Sequence, residues 1–278
     1  MSITGILIAT AIVGGTGIFI GFFLGIAGKK FAVETDPRED EVQEALPGNN
    51  CGGCGFAGCS ALAAAIVAGE APVNQCPVGG EAVAAKIAAI MGTEVGDSKR
   101  MTAYVKCAGS CEQAKNAYTY SGVESCLMAS YMQNAGPKAC TFGCTGFGDC
   151  VKACEFDAIH IIDGISVVDP DVCKACGKCA QACPKHLIEL IPYDNKYHVQ
   201  CASKERGKGV MNACGVGCIG CKLCEKTCKF DAIHVEDNIA KIDYDKCKNC
   251  GMCAKKCPRG IITKAGENKP VVKTEKTA

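Results

Sequence analysis

The feature that most constrains this chain is a cysteine spacing that occurs twice near its C-terminus. It reads Cys218-x2-Cys221-x2-Cys224-x3-Cys228, then Cys247-x2-Cys250-x2-Cys253-x3-Cys257-Pro258. Cysteines at this spacing form a tight loop that offers three thiolates to three irons of a cubane, and the fourth thiolate comes from the other run, so the halves lock each other. The spacing therefore assigns Cys218, Cys221, Cys224 and Cys257 to one [4Fe-4S] cluster, and Cys247, Cys250, Cys253 and Cys228 to another. Zinc held by pairs of CxxC is the competing reading, but zinc does not require a triplet at this spacing.

The whole composition agrees. The 278 residues include 25 Cys, 4 His and no Trp, a density that leaves a disulfide scaffold or a metal-cluster protein. A net charge of +1, from 30 basic and 29 acidic side chains, excludes a nucleic-acid arm, and no nucleic acid is expected as a partner. Between Ile3 and Gly28 there is no charged residue, and Lys29 and Lys30 follow at once. At ~1.5 Å per residue this run is long enough to cross a ~30 Å hydrocarbon core. A secretory signal would carry its positive charges in front of the apolar run. The positive-inside rule puts the N-terminus outside and the rest in the cytoplasm, which makes the expected location a cell membrane with a cytoplasmic body. In that reducing compartment the cysteines read as metal ligands. Gly14, Gly15, Gly17, Gly21 and Gly25 give the segment small residues on which other helices can pack. It has no ionisable residue, so an ion path must lie elsewhere.

The chain then repeats itself. ACTFGCTGFGDCVKACEFDAIHI (139–161) matches ACGVGCIGCKLCEKTCKFDAIHV (213–235), and DPDVCKACGKCAQACPKHLIEL (169–190) matches DYDKCKNCGMCAKKCPRGIITK (243–264). The lead-ins YVKCAGS and HVQCASK match too. FDAIHI and FDAIHV read as strands, and the segments before 169 and 243 as their hairpin partners. The expected fold is α+β: a transmembrane helix (1–30), a small helical [4Fe-4S] module with its linker (31–100), two tandem two-cluster ferredoxin-like domains (101–195 and 196–265) and a polar tail (266–278). SALAAAIVAGE and EAVAAKIAAIMG have the apolar spacing of the module's helices.

The first repeat is degenerate. Cys173, Cys176, Cys179 and Cys154 make a regular set, but Phe147 stands where the second repeat has Cys221. Three readings are open for the other set: Cys140 completes it with Cys144, Cys150 and Cys183, it holds three irons, or it is empty. Cys140 is favoured because it is close in sequence. Upstream, Cys51-x2-Cys54-x4-Cys59-x16-Cys76-Pro77 can wrap one more cubane, with glycines that let backbone N–H groups approach it. This makes five [4Fe-4S] clusters and leaves Cys107, Cys111, Cys126, Cys201 and Cys214. A sixth cluster from Cys107, Cys126, Cys201 and Cys214 is one reading of these, and buried free thiols are the other.

The order of parts resembles the B subunit of the Rnf complex, the ion-translocating ferredoxin:NAD⁺ oxidoreductase of bacterial membranes. The resemblance rests on the apolar N-terminal segment, CGGCGFAGC with Cys76-Pro77, and the paired ferredoxin repeats. It implies an electron-transfer subunit without catalytic residues, taking electrons from soluble ferredoxin to partner subunits that carry flavins, further clusters and the NAD site. No GxGxxG follows a strand here, and no NAD site is expected in this chain. The alternative is a membrane-anchored polyferredoxin that serves another reductase or redox sensor without ion pumping. Residues 196–278 carry 17 basic and 9 acidic side chains. Lys222, Lys226, Lys229, Lys248, Lys255, Lys256 and Arg259 lie beside cluster loops, where a basic face would speed encounter with an acidic ferredoxin.

Overall fold

A computed structural model describes residues 3–30, 36–96 and 99–264, without the side chains of 6–10 and 28–30. The expected polar tail, and residues 31–35 of the expected linker, lie outside the described residues. Helix α1 (Ile3–Lys30) is 28 residues long. Its large side chains Val13, Ile18, Phe19, Phe22 and Phe23 are exposed. Among the described residues no helix is long and apolar enough to cross a membrane.

Three helices form the next module: α2 (Pro37–Ala45), in the expected linker, and α3 (Cys59–Val67) and α4 (Gly80–Met91), which fall on the two alanine-rich stretches. Asp36 caps α2 by accepting the Arg38 N–H at 3.0 Å. Val42, Leu46, Leu62, Ile66 and Ile87 form the core, and small Ala63, Ala65 and Ala84 are buried in the helices around it.

The first ferredoxin-like unit runs β1 (Met101–Val105), α5 (Cys126–Ser130), α6 (Asp149–Lys152), β2 (Ile159–Ile162), β3 (Ile165–Val168), α7 (Lys178–Ala182) and β4 (Ile188–Pro192). The second runs β5 (Tyr197–Val199), α8 (Gly207–Ala213), α9 (Leu223–Thr227), β6 (Ile233–Glu236), β7 (Ile239–Ile242), α10 (Met252–Lys256) and β8 (Ile262–Lys264). Each unit has one antiparallel hairpin, β2–β3 or β6–β7, and one antiparallel pair of its first and last strands, β1–β4 or β5–β8. The β2–β3 turn uses Asp163 and Gly164, both at positive φ, as a two-residue primed turn requires. The cysteine loop packs so closely on this turn that a Cβ on Gly146 would stand 2.5 Å from the Gly164 carbonyl oxygen.

Cysteines make up much of each core. Cys107, Cys144, Cys150, Cys173 and Cys179 are buried with Ile159, Leu187 and Ile188. Cys201, Cys218 and Cys224 are buried with Ile233, Ile239, Ile261 and Ile262. Backbone bonds join the units along a seam: Ala108 N–H to Gln200 O (3.0 Å), Lys115 N–H to Ala213 O (3.0 Å) and Gly215 N–H to Gln113 O (2.7 Å).

Candidate iron–sulfur sites

All 25 cysteines are free thiols. Among the described residues no three His, Cys, Asp or Glu side chains converge on a single ion. Instead, the thiols surround cavities of similar size. One of about 330 Å³ is lined by Cys218, Cys221, Cys224 and Cys257, and one of about 380 Å³ by Cys228, Cys247, Cys250 and Cys253. In the first unit, Cys154, Cys173, Cys176 and Cys179 line about 340 Å³. Each cavity brings together four cysteines that the spacings place in one set.

The degenerate site differs from expectation. Its cavity, about 350 Å³, is lined by Cys126, Cys144, Cys150 and Cys183. Cys140, expected there from its closeness in sequence, lies on another wall. The segment before α5 explains the exchange. The Asp149 carboxylate accepts the Ser125 hydroxyl at 2.8 Å and the Leu127 N–H at 3.0 Å, which holds Cys126 over the start of α6. Tyr120, from the same segment, packs on Phe147 with ring centroids 5.1 Å apart. The chain thus covers the gap left by Phe147 and brings in a thiol from outside the motif.

Cys140 instead shares a fifth cavity, about 450 Å³, with Cys107, Cys201 and Cys214. The expected sixth set had Cys126 in the place that Cys140 takes around this cavity. The cavity lies on the seam and takes two cysteines from each unit. The duplication carried the signal, since Cys107 pairs with Cys201 and Cys140 with Cys214. Cys111 is exposed and lines none of the five cavities.

Several features fit a cluster bound by thiolates. Backbone N–H groups point at sulfur: Cys144 to Cys107 at 3.3 Å, Cys218 to Cys201 at 3.4 Å, Ala103 to Cys173 at 3.3 Å and Ala232 to Cys228 at 3.4 Å. The Ser166 hydroxyl is 3.1 Å from Cys150 Sγ. Thr145 Oγ1 is buried with no hydrogen-bond partner among the described residues, and Thr145 lines the cavity of Cys126. Burial pushes the thiols of Cys150, Cys201 and Cys224 up to about 11 and that of Cys179 up to about 12. Such thiols stay protonated at neutral pH unless a metal takes the proton's place. One thiolate per iron around a cubane matches four separated sulfurs, whereas a zinc ion needs all four at ~2.3 Å from one point.

In the N-terminal module, Asn50 Oδ1 accepts the Cys59 N–H at 2.8 Å and Gln75 donates to the Cys54 carbonyl at 3.0 Å. Burial raises the Cys76 thiol, and the nearby Cys59 and Cys54 raise it further. Cys51 is close enough to Cys176 to raise its thiol as well.

The ligand loops form a series. Gly53 abuts Cys176, and α6 and α7 link the two cavities of the first unit. The Cys144 N–H donates to Cys107 Sγ, the seam cavity joins Cys107 to Cys201, and the Cys218 N–H donates to Cys201 Sγ. Helices α9 and α10 link the last two cavities. At the far end Cys221 and Cys250 are exposed. Lys222, Lys226, Lys229, Lys248, Lys255 and Lys256 are exposed around them, with Leu223, Phe230 and Met252. Arg259, expected on the same face, instead donates to the Gly217 carbonyl (3.3 Å), the Cys214 carbonyl (3.1 Å) and the Gly215 carbonyl, because its side chain turns into the seam.

Comparison with known families agrees with this chemistry. Residues 46–78 match the Fe-S cluster family, residues 166–189 the 4Fe-4S binding domain and residues 217–261 the 4Fe-4S dicluster domain. The B subunit of the Na(+)-translocating ferredoxin:NAD(+) oxidoreductase complex of Acetobacterium woodii is 47% identical, over 93% of this chain and 78% of its own length. The B subunit of the ion-translocating oxidoreductase complex of Methanosarcina acetivorans is 45% identical, over 91% and 96%. The proton-translocating counterpart of Clostridium ljungdahlii is 42% identical, over 88% of each. With identities this high across nearly the whole length, the chain belongs to the family of B subunits of ion-translocating ferredoxin:NAD⁺ oxidoreductase complexes.

Proposed function

We propose that this chain is the electron-transfer subunit of a membrane-bound, ion-translocating ferredoxin:NAD⁺ oxidoreductase. Bound [4Fe-4S] clusters supply one-electron redox chemistry. The observation that carries the reading is the unbroken series of ligand loops, each touching the next, from the exposed Cys250 to Cys51.

The ligand sets we propose are Cys51, Cys54, Cys59 and Cys76; Cys154, Cys173, Cys176 and Cys179; Cys126, Cys144, Cys150 and Cys183; Cys107, Cys140, Cys201 and Cys214; Cys218, Cys221, Cys224 and Cys257; and Cys228, Cys247, Cys250 and Cys253. That is six clusters, one more than the spacings alone required. The lysine-rich face around Cys221 and Cys250 is the docking surface for reduced ferredoxin. The N-terminal module is the exit toward partner subunits that carry flavins, further clusters and the NAD site. The exposed apolar surface of α1 supports its insertion in the membrane, with the bulk of the chain on the cytoplasmic side as Lys29 and Lys30 direct.

Mild detergent extraction tests this against a free-standing polyferredoxin. The chain should travel in a large assembly that reduces NAD⁺ with reduced ferredoxin. Migration alone, with ferredoxin-dependent reduction of the chain intact, would favour the polyferredoxin.

A further inference from the structure

Three buried or half-buried cations are bonded to backbone carbonyls at the seam: Lys138 lines the seam cavity itself, and Lys185 and Arg259 donate to carbonyls of residues that line it. Lys138 is 6% exposed, and its Nζ donates to the Gly109 and Gly164 carbonyls, both at 2.8 Å. Lys185 is half-buried and donates to the Gly143 carbonyl at 2.8 Å. Arg259 reaches the Cys214, Gly215 and Gly217 carbonyls. The seam cavity is lined by Lys106 and Lys138 and by no Asp or Glu. Lys106 is paired with Glu189, whereas Lys138, the other cation lining the cavity, meets no carboxylate among the described residues.

The duplication shows which cations are shared. Lys185 and Arg259 each follow a Cys-Pro pair and reach the equivalent glycines, Gly143 and Gly217. Each lines the inner cavity of its own unit, that of Cys183 or that of Cys257, and not the seam cavity. Lys138 has no counterpart in the second unit, where Asn212 stands at the matching position, and it lines only the seam cavity.

Burying an ammonium costs free energy unless an opposite charge meets it. Backbone carbonyls supply only dipoles. Four thiolates outweigh the positive charge of a cubane core, so an occupied seam site is net negative and becomes more so on reduction. A fixed cation in this low-dielectric setting therefore favours the reduced form over the oxidised one. Lysines on the exposed face around Cys250 are screened by water and salt and have less leverage.

We propose that Lys138, assisted by Lys185 and Arg259, is a positioning residue that raises the reduction potential at Cys107, Cys140, Cys201 and Cys214 above that of the neighbouring sites. The seam then holds an electron between the two ferredoxin-like units. The step is a one-electron exchange: a donor cluster is oxidised in giving the electron and the seam cluster is reduced in accepting it, with no bond formed and no proton moved. The inference rests on the six-cluster reading above.

The test is an anaerobic redox titration of the full-length chain, followed by EPR. The seam signal is identified as the one lost in Cys201→Ser. Lys138→Gln should shift that signal to lower potential and leave the others in place, while Lys138→Arg should titrate like the native protein. Native behaviour of Lys138→Gln at full iron content, or equal shifts in the Gln and Arg variants, would overturn the proposal. If Lys138→Gln loses the seam cluster through packing, Lys138→Met, which keeps the length and apolar stem of the side chain without its charge, decides: a downward shift of the seam signal supports the proposal and an unmoved signal overturns it. If Cys201→Ser changes neither iron content nor spectrum, the seam holds no cluster. The six-cluster reading then fails, and the inference with it, a result distinct from an unshifted potential.

Discussion

Gly53 lies directly on the backbone of Cys176: a Cβ at Gly53 would stand 2.6 Å from the Cys176 carbonyl oxygen and 2.9 Å from its Cα. Both neighbours are backbone atoms, which cannot turn aside. Gly53→Ala should therefore push the N-terminal module off the first unit, at an overpacking cost of about 1–3 kcal/mol. Iron content should stay native while electron delivery from ferredoxin to the partner subunits slows. Native delivery would mean that this contact is not part of the route.

The exchange of Cys126 for Cys140 is open to a rescue experiment. Cys126→Ser should remove or convert one cluster, and adding Phe147→Cys should restore it, since Phe147 occupies the place that Cys221 has in the second unit. Cys140→Ser should leave that cluster intact and affect the seam site. If Cys140→Ser, and not Cys126→Ser, alters the cluster of Cys144 and Cys150, the grouping around these cavities is wrong.

These two sites also mark what was legible in the sequence. The regular triplets are local: three cysteines with two residues between neighbours must share one loop, and the duplicated hairpins around them follow from FDAIHI and FDAIHV. Cys126 was not legible, because its place depends on the Asp149 carboxylate and on Tyr120 packing over Phe147, contacts that join residues 20 to 30 positions apart. The seam set was half legible. Its members appear as the pairs Cys107/Cys201 and Cys140/Cys214, but only the docking of one unit on the other brings the pairs around one cavity. Arg259 failed as a surface charge for the same reason, since its partners are carbonyls of the seam.

Electron entry at the second unit predicts a charge effect. Lys248, Lys255 and Lys256 are exposed beside the cysteine loops. Steering by such a face raises association rates by ~10–10³. Reversing these three lysines to Glu should slow reduction by ferredoxin about tenfold or more at low salt and flatten its salt dependence. Reduction by a small neutral donor should not change. An unaltered ferredoxin rate at low salt would move the docking surface elsewhere.

His198 gives the fold an acid limit. It is 3% exposed, with Nδ1 3.3 Å from the Tyr244 hydroxyl and its ring 4.6 Å from that of Tyr104. Burial lowers its pKa from 6.5 to about 4. The unfolded chain therefore binds a proton that the folded one refuses, and stability falls as pH drops from about 6.5 toward 4. This one group contributes up to about 3 kcal/mol to that fall. His198→Gln should flatten the dependence in denaturant unfolding measured across that window. An unchanged slope would show that His198 is not the group responsible.

The central claim is the cluster count, because the relay is continuous only if the seam site is filled. Iron and acid-labile sulfide per chain, measured on anaerobically purified protein, test it most directly. Six cubanes predict about 24 of each, falling by about four in Cys201→Ser. About 20 of each in the native protein, with no change in Cys201→Ser, would contradict the account.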